Sequence, residues 1–196
     1  QAMRDGRMTI LDVIPTAKGM GYEGVEIVKF CSDEEMREYA PKLAAQSKEF
    51  EMPIIAYMTG ADFLANGVAA QVETLKKEVE IAATLGAHRM RHDATGGKDA
   101  TGKAYTWEEA LPILAEGYGR VTEYAMGLGI NTMIENHGYF AQDAARVKSL
   151  IEAVGNRNFG WLVDMGNFMC ADEKPVESVA IAAPLAAHAH AKDFHF

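Results

Sequence analysis

The sequence predicts a (β/α)8 barrel carried without its first and eighth strands. Three observations predict it. Short apolar segments alternate with amphipathic stretches along the chain. No hairpin signal joins one apolar segment to the next, so the strands are parallel and linked by crossover helices. The segments also recur at similar intervals. Glu26 to Tyr57 is 31 residues, Tyr57 to Arg91 is 34, Arg91 to Glu135 is 44, Glu135 to Asp164 is 29 and Asp164 to His190 is 26. Similar steps favour a closed barrel over an open doubly wound sheet. An open sheet also predicts a glycine-rich phosphate turn after an early strand. Gly19-x-Gly21-x-x-Gly24 has that spacing, but it follows a helix and precedes a strand, the reverse of the required order. A full barrel typically takes ~250 residues, and this sequence has 196, opening on a helix and closing just past a strand. Residues 1–196 therefore read as one barrel domain, incomplete at both ends.

Each element has a local reason. Ile10, Val13, Ile14 and Ala17 follow helical spacing, and Gly21 stops that helix. Residues 24–28 read as a strand. Ser32 with Glu35 forms a capping box, and Met36, Tyr39 and Leu43 share a face of the helix that follows. Residues 53–58 are a strand. Val68, Val72, Leu75, Val79 and Ala82 mark a long helix that Gly86 closes. Residues 87–92 are the next strand. The Gly-, Asp- and Thr-rich segment 93–105 is a long loop, and Gly96, Gly97 and Gly102 suit it to be a lid. Thr106 with Glu109 is a second capping box, and a helix runs from about 107 to 126. Strands follow at 130–135, 159–164 and 187–192, with helices at about 142–154 and 176–185 between them.

Composition narrows the function. Apolar residues make up 48% and charged residues 24%, the balance of a globular protein. The formal net charge is -9, which argues against a large nucleic-acid or anionic-membrane footprint. No apolar run is long enough to span a bilayer, and no signal-peptide pattern opens the stretch. Cys31 and Cys170 are far apart, which disfavours a disulfide scaffold or zinc ribbon. A reducing cytoplasm is the expected location.

The candidate chemistry sits where strands end, because barrel active sites are built at the C-terminal ends of strands. Three consecutive strands close on Glu135-Asn136-His137, Asp164-Met165-Gly166-Asn167 and His188-Ala189-His190-Ala191-Lys192-Asp193. Any one of these alone reads as an ordinary loop residue set. Two carboxylates and an imidazole in register on adjacent strands read as a metal site. Such a mixed oxygen and nitrogen set suits Mn²⁺, Mg²⁺, Co²⁺ or Zn²⁺. Mn²⁺ comes first because the shell is mostly carboxylate. Arg91 and His92 end an earlier strand and are candidate substrate contacts, in a register that a one-residue slip would change. Tyr57 is a candidate for lining the pocket, with core packing as its other use. Cys170 has no activating base near it in sequence.

With Gly21-Tyr22-Glu23-Gly24-Val25-Glu26 added to those strand ends, the chain resembles the sugar phosphate isomerase/epimerase family. These are the xylose isomerase-like TIM barrels, which also include endonuclease IV. The resemblance runs from the first helix to the last strand. It implies one divalent metal held by Glu135, Asp164 and His190, with a fourth ligand, a Glu on the eighth strand, having no counterpart here. His190 is preferred to His188 because the second His of the family's H-x-H is the usual ligand, which leaves His188 as a substrate contact. It implies that Glu135 is both ligand and base. Asn167 is the family's Asn or His after the Asp ligand, placed to touch substrate or orient a ligand. His137 is a candidate acid/base or hydroxyl contact, and Lys192 a candidate for stabilising a developing enolate. The implied activity is isomerisation or epimerisation of a sugar or related keto or polyol compound by proton abstraction next to a carbonyl. A metal-dependent lyase, of the inosose-dehydratase or C-glycoside-cleaving type, starts with the same step. Endonuclease IV-like repair fits poorly, since it needs three metals and a basic DNA face, against 6 histidines and a net of -9 here. A non-catalytic sugar-binding protein would not need the metal set. The expected partner is a small sugar or sugar derivative, with no nucleic acid and no membrane. Many family members are dimers or tetramers, so the resemblance allows a homo-oligomer, although nothing in the sequence identifies an interface.

Overall fold

The structure is a computed structural model that describes residues 5–194. A 3-10 turn, Ile10–Asp12, leads into α1 (Val13–Gly19), then β1 (Val25–Val28), α2 (Asp33–Glu49), β2 (Ile54–Thr59), α3 (Phe63–Asn66) and α4 (Val68–Leu85). The chain continues through β3 (Arg89–His92), α5 (Trp107–Met126), β4 (Asn131–Glu135), α6 (Ala144–Val154), β5 (Phe159–Asp164), α7 (Pro175–Ala182) and β6 (Ala186–His190). Among the described residues the six strands form one sheet in the order β1-β2-β3-β4-β5-β6, and each neighbouring pair is parallel. Strictly sequential order is a barrel's order. A doubly wound sheet reverses at a switch point, and this one does not. The sheet also curls. Glu26 on β1 reaches His188 and His190 on β6, the opposite edge, and Arg89 on β3 donates to the carbonyl of Ala187 across the interior at 3.1 Å.

Strand alternation sorts the side chains into two layers. Ala56, Met58, Met133 and Leu162 form a small apolar cluster on the concave face. Ile27, Tyr57, Met90, Ile134, Trp161 and Val163 face outward into the large core shared with the helices. On α4, Val72, Leu75, Val79 and Ala82 are all buried, as helical spacing requires. Both capping boxes form: Ser32 with Glu35, and Thr106 with Glu109. Gly86 and Gly155 close their helices at positive φ, +77° and +60°, a conformation that favours glycine.

Several boundaries differ from the sequence reading, each for a local reason. α3 is absent from it, because four residues are too few to show a helical period. Asp62 caps α3, accepting from the Leu64 and Ala65 amides. α6 starts at Ala144 rather than 142, since Asp143 is its cap. The helix expected to reach Leu185 stops at Ala182 and tightens into a 3-10 turn, where Pro184 lacks the amide to continue it. Segment 93–105 is a pinned hairpin rather than a free lid. Lys98 bridges Ala104, Asp62 accepts from Thr95 and Gly96, and Asp99 accepts from Thr101 and Lys103. Gly97 and Gly102, at φ +85° and +87°, serve its turns. Both cysteines are free thiols. Among the described residues no helix is long and apolar enough to cross a membrane.

Candidate metal centre

β4, β5 and β6 lie side by side, with Glu135 opposite Leu162 and Asp164 opposite His190. Alternation turns Glu135, Asp164 and His190 to the concave face at the C-terminal rim. Each offers one ligand atom, and these atoms lie within 4.8 Å of one another. Glu135 and Asp164 are buried at 7% and 3% exposure. Carboxylates so placed need partners. Asp164 Oδ1 accepts from the amides of Gly166 and Asn167, both at 3.0 Å. Asp164 Oδ2 is left facing His190 Nδ1 at 3.9 Å and Lys192 Nζ at 3.4 Å. Glu135 Oε1 accepts from Asn167 Nδ2 at 3.2 Å, and Oε2 from Arg91 Nη2 at 2.9 Å. Each carboxylate is thus oriented by fixed donors while keeping lone pairs for an ion. Two carboxylate oxygens and an imidazole nitrogen at this spacing fit a divalent metal with open positions. Glu26 Oε1 and Oε2 meet His188 Nε2 and His190 Nε2 at 2.5 and 2.9 Å, so Glu26, His188 and His190 form a second convergent set. Burial works to raise the Glu26 carboxyl, but the hydrogen bonds and charge of His188 and His190 outweigh it and hold it at about 2. The hydrogen bond to Glu26 raises His190 above the usual imidazole range against the effect of burial.

Asn136 ties the rim together and was not legible as a site residue. Its Oδ1 accepts from the Asp164 amide at 2.8 Å and from Trp161 Nε1 at 3.2 Å, and its Nδ2 donates to the Asp164 carbonyl at 2.8 Å. Asn136→Ala strands three buried polar groups, each worth ~1–3 kcal/mol. We expect a loss of about 3 kcal/mol in urea unfolding; a loss under ~0.5 kcal/mol would contradict this role. Glu26 was also missed, although a lone carboxylate inside an apolar strand was the signal for it.

The remaining expected residues divide. Lys192 and Asn167 join the site: Lys192 donates to Asn167 Oδ1 and stands beside Asp164. Arg91 faces the interior, but it is bound to Glu135 and, at 2.9 Å, to Asp93. His188 is occupied by Glu26. His137 lies past the strand on the exposed rim, its Nδ1 3.7 Å from Asp93, outside the ligand group. Tyr57 faces outward into the core, where its hydroxyl donates to Glu78 at 2.6 Å.

His92 corrects the sequence reading. It follows inward-facing Arg91 by one residue, so it points outward, away from the face that carries Glu135 and Asp164. It is fully buried, stacked on Tyr118 at 4.3 Å and set edge-on to Phe63. Burial lowers it to about 4. The folded state therefore resists a proton that the unfolded chain accepts near 6.5, and stability falls as pH drops from about 6.5 towards 4. Between pH 7 and 4.5, wild type should lose ~2 kcal/mol more than His92→Phe in chemical denaturation. Equal losses would contradict the buried neutral imidazole.

The xylose isomerase-like TIM barrel family model matches residues 14–196. Comparison with curated proteins gives no match. Among solved structures, the probable 3-DHS dehydratase AsbF of Bacillus anthracis superimposes with a TM-score of 0.77 at 16% identity, covering 93% of this chain and 67% of that one. D-allulose 3-epimerase from Methylomonas sp., in complex with D-allulose, gives 0.75 at 19% identity, covering 92% and 65%. The IOLI protein with a binding zinc atom gives 0.73 at 15% identity, covering 88% and 63%. The chain spans about two thirds of the length of these structures.

Proposed function

The chain belongs to the xylose isomerase-like TIM barrel family, and from that premise we propose that it is a divalent-metal-dependent isomerase or epimerase. Its substrate would be a sugar or a related keto or polyol compound. The observation that carries this reading is the convergence of Glu135, Asp164 and His190 from three adjacent strands. Support comes from neighbours whose names describe an epimerase with D-allulose and a protein binding zinc. Mn²⁺ is our first choice of ion, since two of the three donors are carboxylates.

The bound ion would polarise a substrate carbonyl and acidify the adjacent C–H. Glu135 takes that proton. Its two donors, Asn167 and Arg91, hold the carboxylate in place for transfer. Asp164 would help hold the ion, while the 165–167 turn fixes its Oδ1. Lys192, beside Asp164 and Asn167, supplies a cation for the negative charge that develops on the substrate oxygen. His137 and Asp93 stand on the rim, where they would meet outer hydroxyls. The two free thiols suit a reducing cytoplasm.

The test is proton exchange. The Mn²⁺-loaded protein is incubated in D₂O with a panel of ketoses and keto-sugars. Deuterium at a carbon next to the carbonyl, with an isomer or epimer as product, is the expected outcome. Loss of water or chain cleavage with the same exchange would indicate a lyase, the reaction class named for the Bacillus anthracis neighbour. No exchange with any keto compound would contradict the proposal.

A further inference from the structure

Glu26 lies outside the Glu135, Asp164 and His190 group but touches it. Its Oε1 meets His188 Nε2 at 2.5 Å and its Oε2 meets His190 Nε2 at 2.9 Å. An ionised carboxylate only accepts, so both Nε2 atoms donate. A neutral imidazole carries a single N–H. With that proton on Nε2, the lone pair of His190 sits on Nδ1, the nitrogen 3.9 Å from Asp164 Oδ2 and turned to the ligand group. Glu26 is on β1 and His190 on β6, the two edges of the sheet. The contact therefore fixes a ligand's orientation by a bond across the curl of the barrel.

We infer that Glu26 is the positioning residue of the metal centre: it fixes the Nε2–H tautomer of His190 and presents Nδ1 to the ion shared by Glu135 and Asp164. His188 donates to the same carboxylate and is not a ligand. The inference rests on reading Glu135, Asp164 and His190 as the metal-binding set. It also decides between the two convergent groups. An ion taking the place of the two Nε2–H contacts to Glu26, held by Glu26, His188 and His190, would need both Nε2 atoms unprotonated, the opposite tautomer. His190 cannot serve both arrangements as a neutral ring.

Two measurements test it on the full chain. The first is the nitrogen spectrum of ¹⁵N-histidine-labelled, metal-free protein at alkaline pH, with His190 assigned from His190→Gln. The expected result is a proton on Nε2 and none on Nδ1. A proton on Nδ1 would overturn the inference, whatever the variants do. The second is Co²⁺ binding followed by visible absorption. Glu26→Gln offers one acceptor to two N–H donors, so its Co²⁺ affinity should fall by ~10–100-fold. His188→Gln can still donate to Glu26 and should stay within ~3-fold of wild type. Unchanged affinity in Glu26→Gln, or a second Co²⁺ per chain that His188→Gln removes, would overturn it. If wild type binds Co²⁺ as expected but exchanges no substrate proton, the proposed activity fails and Glu26's role stands. If wild type binds no Co²⁺, the metal-centre reading fails by itself, and the metal-free spectrum still decides the tautomer.

Discussion

Asp164→Asn is expected to abolish stable metal binding and to reduce turnover by at least ~10³-fold, the scale seen when an essential charge-stabilising group is removed. The asparagine is the informative replacement because the two oxygens of Asp164 do different work. Oδ1 holds the 165–167 turn through the amides of Gly166 and Asn167. An asparagine carbonyl keeps both bonds, so the turn survives. Oδ2 faces His190 and Lys192, and there an amide NH₂ replaces the anionic donor. It cannot ligate a cation, and it meets the Lys192 ammonium with a donor. Asp164→Ala confounds the experiment, since it also strands two buried amides at ~1–3 kcal/mol each. The expected pair of results for Asp164→Asn is a near-native unfolding curve and metal content below a tenth of wild type. Full occupancy in this variant would remove Asp164 from the site.

Glu135→Gln is expected to separate binding from chemistry. The amide oxygen can still accept from Asn167 or Arg91, and Arg91 keeps Asp93 as an ion partner. The rim should therefore remain assembled. An amide cannot take a proton from carbon, so deuterium exchange next to the carbonyl should fall by ~10²–10⁴-fold, the usual contribution of a general base. Metal should still bind, more weakly, through Asp164 and His190. Exchange at the wild-type rate in a metal-loaded Glu135→Gln sample would assign the base elsewhere.

The order of the strands and the convergence of Glu135, Asp164 and His190 on one rim were legible from periodicity, while the choice of His190 over His188 came from the family resemblance. Strand ends at near-equal spacing place Glu135, Asp164 and His190 on one rim, and the parallel register brings them together. In β3 the same period-two rule left the register open. Arg91 and His92 are neighbours, so only one can face inward, and a four-residue strand without apolar alternation gives no sign of which. The structure turns Arg91 in and seals His92 against Tyr118. Tyr57 goes outward by the same parity, next to inward-facing Met58. Contacts between distant strands were illegible in a different way. Glu26 and His190 are 164 residues apart, and nothing local marks one as the partner of the other. Asn136 was hidden because its role is to bond the backbone of the next strand, which leaves no spacing pattern in the sequence. The hairpin at 93–105 reads as a mobile loop from its glycines, while the carboxylate that pins it, Asp62, lies three elements earlier in the chain's local context, beside α3.

The central claim is that Glu135, Asp164 and His190 hold one divalent ion. Its most direct test is the metal content of the purified protein after dialysis, measured by inductively coupled plasma mass spectrometry beside Asp164→Asn. The account predicts about one Mn, Co, Zn or Mg per wild-type chain and almost none in the variant. No ion in wild type, with none regained on adding Mn²⁺, or equal content in both proteins, would contradict it.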